Sequence, residues 1–89
     1  MAHMLIRHKV ADFKKWKPKY EEHRGARQEA GLKDLHLWHN ENQPNEVIVL
    51  FEASDTEKAK KFADSADLKE AMKSSGVQGN PEITILSED

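Results

Sequence analysis

Residues 46–53, Glu-Val-Ile-Val-Leu-Phe-Glu-Ala, narrow the choice of fold more than any other stretch of the chain. The β-branched and aromatic content suits a strand, and the two-residue alternation of a strand sends Val47, Val49 and Phe51 to one face and Ile48 and Leu50 to the other. Both faces are therefore apolar, whereas an antiparallel sheet with one wet side would show polar residues on alternate positions. Residues 83–86 repeat the pattern, with Ile83 and Ile85 opposed to Leu86. Whatever sheet these strands join has to be covered twice.

The remaining elements say what is available to cover it. Residues 4–10 are a short apolar and β-branched run that ends at Asp12, a side chain able to cap a helix. From there Phe13, Trp16, Tyr20, His23, Arg24, Arg27 and Ala30 fall on one stripe at ~100° per residue, which predicts a helix over 13–30. Pro18 lies inside that helix and predicts a kink or a loose first turn, and Gly31 ends it. Residues 32–42 alternate Leu35, Leu37 and His39 against His36, Trp38 and Asn40, as a strand does, and 42–45 form a turn. Ser54 and Glu57 offer a capping box ahead of Ala59, Phe62 and Ala63. Asp67 and Glu70 repeat the motif before Leu68, Ala71 and Met72, so the second helical region divides near Ser65. Residues 74–81, with Gly76 and Gly79, read as a loop, 82–86 as a last strand and 87–89 as an acidic tail.

Strand, helix, strand, strand, helix, strand is the ferredoxin-like βαββαβ order of the α+β class: a four-stranded antiparallel sheet with both helices on one face. The 89 residues suffice for one such domain, spanning 1–89. Two helices cover one side of the sheet only, and a second copy related by a two-fold axis is the simplest cover for the other, so a homodimer is expected.

Composition removes several kinds of partner. Fourteen Lys and Arg against 16 Asp and Glu leave a formal charge of −2, without the basic footprint of a nucleic-acid binder. With no cysteine there can be neither a disulfide nor a thiolate metal site, which suits a reducing compartment, and a cytoplasmic protein is expected. No apolar run approaches the ~20 residues that would span a bilayer, so no membrane role is expected.

The first helix carries an anomaly, because His23 and Arg27 share the stripe that should be buried. A buried guanidinium needs a carboxylate, a ligand anion or water to offset its desolvation. His8 alternates with Ile6 and Val10 on the first strand and meets the same stripe if that face turns toward the helix. A ligand pocket lined by His8, Trp16, Tyr20, His23, Arg27 and Trp38 is one outcome. In the other, Arg27 reaches an Asp or Glu at the stripe edge and the histidines are satisfied by backbone or solvent. His36 and His39 point to opposite faces of a strand and lack a third ligand, so no metal is expected. Lys14, Lys15, Lys17 and Lys19, followed by Glu21, Glu22 and Arg24, form a solvated helix face, and Gly76 and Gly79 lack the surroundings of a phosphate loop.

Three stretches carry a family resemblance: Arg7-His8-Lys9-Val10 with the following 12–17 (DFKKWK), 44–52 (PNEVIVLFE) and 62–77 (FADSADLKEAMKSSGV). In these and in its organisation the chain resembles the dimeric α+β barrel superfamily, in particular the antibiotic biosynthesis monooxygenases. The resemblance implies a homodimer that oxidises an electron-rich, phenolic or enolisable small aromatic ligand with O₂ and no bound cofactor. It further implies His8 or His23 as the base, Arg27 steadying the anion that forms, and Trp16, Tyr20 and Trp38 as the wall that holds an aromatic ring. Other proteins of this superfamily degrade haem, but the Asn, Trp and His set of those enzymes is not matched here. Non-catalytic small-molecule binders and accessory subunits share the architecture and form the alternative.

Overall fold

A computed structural model describes residues 2–87, and apart from Ser87 the acidic tail at 87–89 lies outside them. The chain runs β1 (Ala2–Val10), α1 (Phe13–Glu22), α2 (Arg24–Glu29), β2 (Leu32–His39), β3 (Glu46–Ala53), α3 (Thr56–Ala63), α4 (Ala66–Ser74) and β4 (Val77–Ser87). The strands form one antiparallel sheet in the order β2-β3-β1-β4, the ferredoxin-like arrangement expected from the sequence.

Register decides which residues share a face. Met4 lies opposite Phe51 on one side and Ile85 on the other, and Ile6 lies between Val49 and Ile83. These residues, with Val10, Val47 and Ala53, meet Trp16 and Ala59 from the helices in the core. Phe51, Met4, Val10, Val47 and Val49 are the largest fully buried side chains, each worth about 2 kcal/mol of apolar transfer. On the other face lie Leu5, Ile48 and Leu50, half-buried by their neighbours, together with Trp38 and Leu86, which are 47% and 42% exposed. The sheet is thus apolar on both sides and has helices on one.

Local signals explain most element boundaries. Asp12 caps α1 by accepting from the Lys14 N–H at 3.0 Å. α1 continues through Pro18, and the interruption falls instead at His23, which ends α1 and precedes α2. Gly31 terminates α2 with a φ of 78°, a conformation that costs glycine nothing. The division of the second helical region at Ser65 is as expected, Ser65 accepting from the Leu68 N–H. The cap of α3 is Asp55 rather than Ser54, because Asp55 accepts from both Glu57 and Lys58 N–H groups, while Ser54 donates to the Gly31 carbonyl.

Two strands depart from the simple alternation. β1 starts at Ala2, two residues before the expected position. Residues 77–81, expected in a loop, belong to β4. The strand accommodates its glycine and proline through a bulge: β4 passes from Glu82 to Gln78 while β1 passes from Arg7 to Lys9, leaving two extra residues on β4 opposite His8. Gly79 supplies the positive φ, 67°, at that point. A second irregularity in β2, between Asp34 and His36, places Asp34, Leu37 and His39 with the helix-side residues of β3, and His36 and Trp38 on the outer face. Among the described residues no helix is long and apolar enough to cross a membrane.

Candidate functional site

A cavity of about 460 Å³ lies between the sheet and the helices. Its floor is the helix side of β1 and β3, with Ile6, His8, Val49 and Phe51. Trp16 and Tyr20 of α1 form one wall, and Phe62 of α3 with Leu68, Ala71 and Met72 of α4 form the facing one. The exposed residues Lys19, His23, Asp67 and Glu70 surround the mouth. Lys19 donates from Nζ to the carbonyl of Ser74 at 2.9 Å, joining α1 to the C-terminal end of α4, where the helix dipole favours a cation.

The aromatic wall is a stacked pair, Trp16 and Tyr20, against which the His8 ring is tilted. The Trp16 and Tyr20 rings lie 4.8 Å apart and nearly parallel, and the His8 ring meets Trp16 at 5.4 Å. Trp16 is buried and Tyr20 half-buried, a consequence of their four-residue spacing on the core stripe of α1. Burial is the main cause that pushes the Tyr20 hydroxyl up to about 12, only partly opposed by the Arg27 charge, so it remains protonated near neutrality.

His8 is the polar group on this floor. It is 6% exposed, and among the described residues neither ring nitrogen has a hydrogen-bonding partner in the protein. Desolvation by burial lowers its pKa from 6.5 to about 4, so the ring is neutral at pH 7, with one nitrogen able to donate and the other to accept. An unpaired buried imidazole costs stability, and such exceptions in a folded protein call for a functional explanation or a bound molecule.

Arg27 is buried on the same side, and a protein carboxylate satisfies it. Nε donates to Oδ1 and Nη2 to Oδ2 of Asp34, both at 3.0 Å, in a two-pronged pair. Nη1 donates to the Tyr20 carbonyl at 2.7 Å, and the guanidinium lies 3.9 Å from the Tyr20 ring centroid. The ion pair, rather than a free anion site, is what the sequence anomaly encodes. Asp34 escaped the sequence reading, although the need for a carboxylate near a buried Arg27 was its signal, and Asp34 follows seven residues later at the start of the next strand.

Five of the six expected residues, His8, Trp16, Tyr20, His23 and Arg27, line the one cavity. Trp38 does not. It projects from the outer face of β2 and stacks on His36 at 4.7 Å, because the strand alternation places 36 and 38 away from the helices. The wall from α4 replaces it, and Leu68, Ala71 and Met72 were legible only as core residues.

Fold and cavity together define a ferredoxin-like α+β protein with an apolar cavity, open to solvent on one side, beneath its helices. The fold is the one found in antibiotic biosynthesis monooxygenase structures. A candidate antibiotic biosynthesis monooxygenase from Bordetella bronchiseptica superposes with a TM-score of 0.79 at 14% identity, covering 99% of this chain and 96% of that one. Another from Caulobacter crescentus gives 0.72 at 17% identity, covering 99% and 89%. An uncharacterised NIPSNAP domain protein from Burkholderia xenovorans gives 0.66 at 10% identity, covering 100% and 95%. At these identities the likeness concerns the fold. No protein-family model and no curated protein matches the sequence.

Proposed function

We propose that the protein binds a small phenolic or enolisable aromatic molecule in this cavity and oxidises it with O₂ without a bound cofactor, working as a homodimer joined through the outer face of the sheet. The observation that carries the reading is His8, a neutral imidazole with both nitrogens unpartnered on the floor of an aromatic-walled cavity. A ligand hydroxyl can donate to one nitrogen and accept from the other, while its ring lies along Trp16 and Tyr20. The name borne by the structural neighbours, antibiotic biosynthesis monooxygenase, supports the choice of reaction.

In the proposed reaction His8 accepts the ligand's hydroxyl or enolisable proton, leaving an electron-rich anion. The pKa of about 4 makes His8 a weak base by itself, and the adjacent developing anion favours its protonated form. The anion passes an electron to O₂, the two radicals join at a ring carbon that bears hydrogen, and a hydroperoxide results. The proton that completes the hydroperoxide is the one His8 took. Cleavage of the O–O bond then expels the outer oxygen as hydroxide, which leaves as water with the hydrogen of that carbon, and the carbon becomes a carbonyl. The substrate supplies all four electrons that reduce O₂, so no external reductant enters.

Oxygen uptake measured against a panel of phenols and quinols tests this. The native protein is expected to show substrate-dependent uptake that falls by about 100-fold in His8→Gln. A second reading, a non-catalytic binder or accessory subunit, is favoured by the commitment of Arg27 to Asp34 and the Tyr20 carbonyl, which leaves the guanidinium paired beside any anion formed in the cavity. Saturable binding of the same panel without uptake would select it.

A further inference from the structure

We propose that Asp34 is a specificity-determining residue: by holding Arg27 in a paired, neutralised state it reserves the cavity for uncharged ligands and excludes aromatic carboxylates. This deepens the reading above and rests on the cavity being a ligand site.

A buried arginine facing an apolar cavity would ordinarily act as an anion receptor. Here three of its five N–H groups are taken, two by Asp34 and one by the Tyr20 carbonyl. The Arg27 side chain is 5% exposed and that of Asp34 29%, so the pair is formed where Coulomb attraction is less screened than at the surface. An incoming carboxylate would have to compete with one already bound by both prongs, and would bring a second negative charge beside Asp34. Arg24 lies 3.7 Å from Asp34, but its side chain is 62% exposed and faces a separate surface groove.

The other charged or titratable groups do not restore an anion site. His8 on the floor is neutral at pH 7, as is Tyr20. At the mouth, Lys19 is engaged with the Ser74 carbonyl, and the mixed set of Lys19, His23, Asp67 and Glu70 has no single sign to draw anions inward. A ligand able both to donate and to accept a hydrogen bond while carrying no charge is the one that leaves every buried group satisfied.

Titration calorimetry at pH 7 with 2-naphthol and 2-naphthoate, flat probes of similar size differing in charge, tests the assignment. The native protein is expected to bind 2-naphthol at least about tenfold more tightly than 2-naphthoate. Asp34→Asn, which removes the negative charge that neutralises the guanidinium, is expected to shift the ratio toward 2-naphthoate by at least about tenfold, and Asp34→Glu to retain the native order. A native protein that binds 2-naphthoate as tightly as 2-naphthol, or a folded Asp34→Asn variant with an unchanged ratio, overturns the role of Asp34 and leaves the cavity a ligand site. Failure of the native protein to bind either probe removes the cavity reading and the specificity argument with it. Should Asp34→Asn not fold, the native ratio and the Asp34→Glu variant decide.

Discussion

The buried imidazole of His8 makes stability depend on pH in a direction and amount that can be worked out. Its pKa is about 4 in the folded chain against 6.5 when solvated. Between these values the unfolded chain binds a proton that the folded chain refuses, so stability rises with pH through this window and falls as pH drops through it. At pH 7 both states are largely neutral at this residue and the term is small. At pH 5 the unfolded form is mostly protonated and the folded form mostly not, which costs about 2 kcal/mol relative to pH 7. Below pH 4 both are protonated and the loss levels off near about 3 kcal/mol, a large fraction of the stability of a small domain. The assay is urea unfolding followed by tryptophan fluorescence, since the buried Trp16 lies against His8, for the native protein and His8→Leu at pH 7, 6 and 5. Protein concentration is held constant so that any association contributes equally at each pH. Other titrating groups largely cancel in the difference between the two proteins, which is expected to change by about 2 kcal/mol across the range. A difference that stays constant to within about 0.5 kcal/mol would refute the reasoning, because it would mean that His8 is hydrogen-bonded or solvated in the folded protein.

Two further outcomes follow from the sheet and from a turn. Leu50→Lys places a charge at the centre of the outer face, and sedimentation at micromolar concentration is expected to show a shift from dimer to monomer with the fold retained; a native protein that already sediments as a monomer rules out the pairing. Gly31→Ala is expected to lower stability by about 1–2 kcal/mol in urea melts, since a Cβ there meets a φ of 78° and lies 2.5 Å from Ser54 Oγ, displacing the serine from its bond to the Gly31 carbonyl; a variant of native stability would show that the turn can relax.

Periodicity and capping made the order of elements legible. The stripe from Phe13 to Ala30 exposed a helical stretch but not its division into α1 and α2 at His23, whereas the repeated acidic motif around Ser65 exposed the division between α3 and α4. The candidate site was legible as far as residue type allowed: a histidine on an apolar strand and an arginine on an apolar stripe are local anomalies, and both line the cavity. What escaped depends on pairing between distant segments. Trp38 could be placed on a face of β2, but which face met the helices was decided by the register with β3. Gly79 and Pro81 suggested a loop because a bulge is recognisable only once Arg7 and Lys9 are known to lie across from Glu82 and Gln78. Asp34 was invisible as a partner because an irregular strand and a turn separate its geometry from that of Arg27.

The bulge in β4 also bears on how copies of this chain can meet. β4 is a border strand of the sheet, and a border strand with regular, unpaired amides invites another chain to extend the ladder. Two surplus residues, a glycine with positive φ and a proline without an amide hydrogen break the spacing that such an extension would have to match. Growth into ribbons is thereby discouraged along this border, which leaves the apolar outer face as the surface on which the proposed pairing would form.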